Sequence, residues 1–189
     1  MHRHDVTGYY VAPEPGPNYY DDFYACCRLA KATKVSSIAV PSSQLGTPFN
    51  EEVERLRKLV DLANKESVVV GLRSELGCLS EDPDTVGVLC NNVKGLGVAL
   101  DPSQYICGPH SKRGFESLVP HTSNVYLRDS SETEVQVRVG QGIVDYGKLV
   151  NQLNREKYTG ALVVHILESP DLEHAAEMRK LRLLLESWL

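Results

Sequence analysis

Six short, nearly unbroken apolar runs, separated by segments of helical or turn character, constrain this chain more than any other feature. They are Val6–Val11, Ser36–Val40, Val68–Leu72, Leu96–Leu100, Asn124–Leu127 and Ala161–Ile166. Each is too short for a helix and too apolar for a strand with one wet face, so each reads as a strand covered on both sides. Between them the spacing turns helical. Tyr19 to about Thr33 puts Phe23, Cys27 and Ala30 on one face. A second stretch, capped by Thr47 or Asn50 and running to about Lys65, does the same with Val53, Leu56, Val60 and Ala63. Asp82 can cap a short helix to Asn91, with Pro83 at its first position. Lys112–Leu118 reads as helical, Asp145 as the cap of Tyr146–Asn154, and Leu172–Leu189 as a final helix. Pro13-Glu14-Pro15-Gly16-Pro17 interrupts the first unit, because proline lacks the donor that a ladder or a helix needs. Strands alternating with helices imply an α/β class with a parallel sheet. Pattern alone leaves two forms, an open doubly wound sheet or a (β/α) barrel. The sequence has no GxGxxG after the first strand and no GxxxxGK[ST], which counts against a nucleotide-binding sheet.

A chain of 189 residues is long enough for one sizeable core, and residues 1–189 read as a single domain. The 25 acidic and 20 basic residues leave a net charge of -5, unsuited to a phosphate backbone, so no nucleic-acid partner is expected. No apolar run approaches the roughly 20 residues of a membrane span. Met1-His2-Arg3-His4-Asp5 leads into no signal-peptide core. The five cysteines are odd in number and form no CxxC pair, which fits free thiols in a reducing compartment and a cytoplasmic location.

In parallel α/β folds the site lies at the carboxyl ends of the strands. Here those ends carry Arg73 and Glu75, Asp101 and Gln104, Tyr126 and Arg128, and His165. Alternation puts Arg73 with Glu75 on one face of their strand, and Tyr126 with Arg128 on one face of theirs. If the strands converge, these residues ring one cleft. Charges placed directly after apolar strands are costly unless paired or presented to a ligand. Two arginines, acids and a histidine suit a small anionic or polyhydroxylated ligand. Plainer roles stand beside this one. Asp101 could cap a turn, His165 could be a satisfied core histidine, Arg73 and Arg128 could end strands in salt bridges, and Tyr126 could simply pack. His110 is expected in solvent and His121 on the opposite face of the fold.

Gly140-Gln141-Gly142-Ile143-Val144-Asp145-Tyr146, followed by Tyr158-Thr159-Gly160-Ala161-Leu162-Val163-Val164-His165, resembles the C-terminal signature of the xylose-isomerase-like TIM barrels. These are sugar and sugar-phosphate isomerases and epimerases. Gly97 to Gln104 and Val125 to Asp129 resemble two further strand ends of that family, and the likeness runs from about Val6 onward. It implies a divalent metal (Mn²⁺, Mg²⁺ or Zn²⁺) held by Glu, Asp, His and Glu on four strand ends. The metal would polarise a carbonyl while a carboxylate moves the neighbouring proton.

Carried over by position, the first Glu falls at Arg73, the Asp at Asp101 and its partner His at Gln104. The metal-binding His falls at Tyr126 and the last Glu at His165. Only Asp101 and His165 at these positions have metal-ligand chemistry, Glu75 could help if its strand end bends inward, and an arginine brings positive charge where a cation should sit. The resemblance therefore implies a sugar or sugar-phosphate isomerase- or epimerase-like protein with a degenerate metal site. Asp101, Glu75 and His165 are its candidate catalytic groups, and Arg73, Gln104, Tyr126 and Arg128 its ligand-binding groups. The alternative is a non-catalytic binding protein on the same fold. Tyr9, Tyr10, Tyr19 and Tyr20 could stack on a sugar face.

A complete (β/α)₈ barrel takes about 250 residues. Only six units are readable here, and the resemblance places the first of them at the third strand. An incomplete or rearranged TIM-like barrel of about six parallel strands is expected, with two free edges. The chain would then be a fragment of a longer product, a smaller rearranged domain, or a homodimer whose second copy covers the missing wall.

Overall fold

The computed structural model describes residues 6–170 and 172–188. Its sheet contains β1 (Tyr9–Tyr10), β2 (Ser37–Val40), β3 (Val69–Arg73), β4 (Leu96–Leu100), β5 (Thr122–Leu127) and β6 (Leu162–Val164). Every neighbour pair is parallel and the spatial order is the chain order, β1-β2-β3-β4-β5-β6. A doubly wound sheet must reverse its order partway. This one never does, so the sequence's two options resolve to the barrel type, six-stranded and incompletely closed. The connections carry α1 (Tyr19–Ala32), α2 (Phe49–Asn64), α3 (Pro83–Asn92), α4 (Pro102–Ile106), α5 (Tyr146–Arg155) and α6 (His174–Glu186).

Alternate strand residues face the helices. Ile38, Val40, Val70, Leu72, Val98, Leu100, Val125 and Leu127 join Phe23, Leu56, Leu59, Leu89 and Leu149 in one core. The alternate positions include the small residues Ala39, Gly71, Gly97 and Ala99. That choice lets opposite walls of the arc meet. A β-carbon on Gly71 of β3 would overlap Ser123 Oγ of β5, which is not its neighbour in the sheet. One on Gly8, just before the first strand, would stand 3.0 Å from Asn124 Nδ2 of the fifth. The pairing of β4 with β5 shifts register between Val98 and Ala99, skipping Ser123. This bulge turns the Ser123 hydroxyl inward, where it donates to the Val98 carbonyl at 3.2 Å.

Several boundaries differ from the sequence reading. The first strand shrinks to two residues ahead of the proline stretch. The expected helix at Lys112–Leu118 is instead two 3-10 turns, Ser111–Arg113 and Glu116–His121, split by Gly114 at φ 69°. The short helix α4 was not anticipated. Asp101 caps it by accepting from Ser103 N. Pro48, not Thr47 or Asn50, precedes α2. The last helix starts later, at His174, behind a capping Glu173. Strand β6 is half-buried throughout, not covered on both faces. His2 and His4 lie outside the described residues. Among those residues no helix is long and apolar enough to cross a membrane, and all five cysteines are free.

Candidate functional site

The carboxyl ends of β3, β4, β5 and β6 converge, an outcome the strand pattern alone left open. Asp101, at the end of β4, is 1% exposed. One carboxylate oxygen, Oδ1, accepts from the backbone and hydroxyl of Ser103. The other, Oδ2, receives Nη2 of Arg128 at 2.5 Å. Arg128 follows β5 and is 3% exposed. The same Nη2 lies 3.2 Å from Nδ1 of His165, beyond the end of β6. A guanidinium only donates, so a hydrogen bond here requires Nδ1 to accept and the imidazole proton of His165 to sit on Nε2. Burial holds its pKa below the ordinary histidine value, helped by Arg128 and Arg73 and opposed by Asp101.

Tyr126 lies edge-to-face on the His165 ring, with centroids 5.7 Å apart. Beyond it stands the Arg73 guanidinium, 5.7 Å from the Tyr126 ring centroid and 4.7 Å from that of Tyr10. Residues of β1, β3 and β5 thus close the top of the arc through one cation between two aromatic rings. Such contacts are worth about 0.5–2 kcal/mol each. Neither contact is a hydrogen bond, so neither engages a guanidinium N–H with an acceptor. Arg73 has no hydrogen-bond or ion-pair partner among the described residues, so its N–H fork is open to an oxyanion.

The remaining candidates separate. Gln104 is buried, and its Oε1 accepts from Leu76 N at 3.0 Å, bracing the loop after β3. Glu75 opens instead into a cleft of about 800 Å³ beside Tyr10, Tyr19 and Tyr20. Its Oε2 is buried without a hydrogen-bond partner among the described residues. Tyr10 borders both regions, and burial, then Glu75, raises its phenol pKa against the pull of Arg73. Tyr9 points away, donating to Thr33 Oγ1. His110 sits 3.8 Å from Glu81. His121 lies with Ser36 and Gly95 at the opposite ends of the strands.

Two working groups escaped the sequence reading. Glu52 is fully buried and holds Ser43 and Arg55, two residues that line the tyrosine cleft. It accepts from Ser43 N and Oγ and from Nε and Nη2 of Arg55, while Arg55 also donates to Tyr19 Oη and the Pro41 carbonyl. This network ties α1 and α2 to the end of β2. The signal was present: Glu52 falls on the same helical stripe as Leu56, Leu59 and Ala63, a charge on an apolar face. Asp129 is the second, its Oδ2 accepting from Gly140 N and Gly142 N. It shapes the glycine loop that carries the family-like signature.

The donor set does not fit a divalent metal. Asp101 is committed to Arg128 and Ser103, and His165 turns its bare nitrogen to a cation. Among the described residues no three His, Cys, Asp or Glu side chains converge to hold an ion. Asp101 and His165 therefore meet through Arg128 and not as a pair of ligands.

The fold has many solved counterparts. A xylose isomerase-like TIM barrel protein from Mycobacterium smegmatis, solved with magnesium, matches at TM-score 0.73 and 17% identity, covering 92% of this chain and 69% of that one. The probable 3-DHS dehydratase AsbF from Bacillus anthracis matches at 0.75 and 16%, covering 94% and 76%. The 3-keto-D-glucoside 4-epimerase YcjR from E. coli matches at 0.77 and 15%, covering 96% and 79%. No curated protein matches the sequence. The family model for the xylose isomerase-like TIM barrel matches residues 13–185. With that match over most of its length, and with strands that keep chain order around an unfinished barrel, this chain belongs to the xylose isomerase-like TIM barrel family.

Proposed function

We propose that this protein binds a small polyhydroxylated molecule bearing a carboxylate or phosphate, at the strand ends and without a metal ion. The observation that carries the proposal is Arg73. A half-buried guanidinium held by two aromatic faces, with its N–H edge unpaired, is a pre-organised receptor for a bidentate anion. The Nε2–H of His165 adds a neutral donor on the far side of Tyr126. The tyrosine cleft and the unpartnered Glu75 oxygen suit hydroxyl groups. The similar epimerase is named for a keto-glucoside, which agrees with a hydroxylated ligand.

Calorimetry with D-glucuronate, glucose 6-phosphate and neutral glucose, each with and without EDTA, tests this. The anions should bind, glucose should not, EDTA should change nothing, and Arg73→Met should remove binding. Equal binding of glucose, or loss of binding with EDTA, would overturn the proposal.

A second reading is isomerase- or epimerase-like turnover of such a ligand. It is favoured by Glu75, whose unpartnered oxygen could take a proton next to a carbonyl. Exchange of a ligand C–H with solvent deuterium, lost in Glu75→Gln, would establish it. A second copy laid over the gap between β1 and β6 is also proposed, to be read from the solution mass. A cytoplasmic location is proposed on the strength of the five free thiols.

A further inference from the structure

We infer that Arg128 is a resident cation: it fills the point at which Asp101 and His165 converge, and it fixes His165 as a donor toward the ligand. The inference builds on the binding reading above but stands on different atoms. A carboxylate oxygen and an imidazole nitrogen are the kinds of atom that hold a metal ion. Here both are directed at a single nitrogen, Nη2 of Arg128, at 2.5 and 3.2 Å.

Burial makes the arrangement permanent. Asp101 and Arg128 are 1% and 3% exposed, and a carboxylate that deeply buried needs a cation beside it. The head of Arg128 cannot swing to solvent without stranding that charge. A divalent ion could enter only by displacing a covalently tethered one.

The second consequence concerns His165. Because a guanidinium has no lone pair to offer, Nδ1 stays bare and the proton is kept on Nε2. Arg128 is thus a positioning residue, acting on the ligand through the imidazole. With Arg73 it leaves a cluster that presents donors: the fork of Arg73 and the Nε2–H of His165. Such a cluster recognises lone pairs on an oxyanion, whereas a metal centre would chelate neighbouring hydroxyl and carbonyl oxygens.

The test uses the whole protein and three readouts. In the wild type, the side-chain ¹⁵N resonances of His165 should show Nε2 protonated and Nδ1 bare. Arg128→Lys should preserve that tautomer, because an ammonium also only donates. Arg128→Met should shift it toward Nδ1–H, since that proton can then be given to Asp101. If Arg128→Met does not fold, the double variant with Asp101→Asn removes the buried charge; loss of the fixed tautomer there is the expected result, and its retention would overturn the inference. Zn²⁺ titration should show no saturable uptake by the wild type at Asp101 and His165, and a gain of uptake in Arg128→Met. Protonated Nδ1 in the native protein, or saturable Zn²⁺ binding that broadens the His165 resonances, would overturn the inference. Acetate and inorganic phosphate titrations separate the two claims. If neither perturbs His165 or Arg73, the binding reading falls while the tautomer result still decides the role of Arg128.

Discussion

Asp129 and Gly142 are packed so closely that a β-carbon on the glycine would overlap the carboxylate. The same carboxylate accepts from Gly142 N at 3.1 Å and Gly140 N at 2.7 Å. Gly142→Ala should therefore push the loop off its acceptor. Overpacking of this kind costs about 1–3 kcal/mol. Urea denaturation should show a loss of that size, and a variant as stable as wild type would contradict the packing described.

Gly71 makes a separate prediction about barrel closure. Gly71→Ala places a methyl against Ser123 Oγ, with Ala99 N a further 3.2 Å contact. A loss of about 1–3 kcal/mol is expected. Shrinking the opposing residue with Ser123→Gly should recover part of it. Additive losses in the double variant would mean that the two strands do not touch across the interior.

Asp101→Ala leaves the Arg128 guanidinium buried without its counter-charge. Breaking a buried pair from one side costs about 3–5 kcal/mol. A thermal melt should show this as a larger loss than for Asp101→Ala combined with Arg128→Met, in which no lone charge is left. The reverse order would show that the pair is not what holds the two strand ends together.

Asp82 supplies a pH dependence. Burial raises its pKa, but Thr85 Oγ1, Asp84 N and Arg113 outweigh that, and the net shift is downward. A carboxylate with a folded pKa below its unfolded value stabilises the fold above the unfolded pKa, about 3.9. That contribution disappears as pH falls through the lower, folded value. Asp82→Ala should therefore lower stability near neutral pH, by about 1 kcal/mol for the lost cap. The gap to wild type should narrow in strong acid, as followed by circular dichroism. A gap that stays constant down to low pH would remove Asp82 from the account.

The thiols give a chemical readout. Burial pushes Cys27 up to about 12 and Cys90 up to about 11. Since the thiolate is the reactive form, both should resist alkylation at pH 8 in the folded protein. Mass spectrometry should find them labelled only after denaturant is added.

Much of this was legible in the chain because it rests on local chemistry. Apolar runs such as Val68–Leu72 and Leu96–Leu100 became strands because nothing else buries them on both sides. Arg73, Asp101, Tyr126, Arg128 and His165 could be placed at strand ends by counting. The sequence could not say who pairs with whom. Asp101 and Arg128 lie 27 residues apart, and only the curvature of the sheet brings them to 2.5 Å. The sequence could not show that Gln104 braces the loop after β3, since the partner of its Oε1 is a backbone N–H that carries no sequence signature. The helix expected at Lys112–Leu118 failed at Gly114, whose positive φ ends one turn before the next begins. Closure was the hardest to foresee. It depends on small residues at Gly8, Gly71 and Gly97, and on a bulge at Ser123 that periodicity does not register.

The outermost strands are two and three residues long. A sheet margin polymerises by lending its free amides and carbonyls to a newcomer, and these margins have few to lend. Their brevity acts as a safeguard on an unfinished barrel, making strand-by-strand aggregation a poor bargain. Any second copy at the gap must then be held by side chains, not by extension of the sheet.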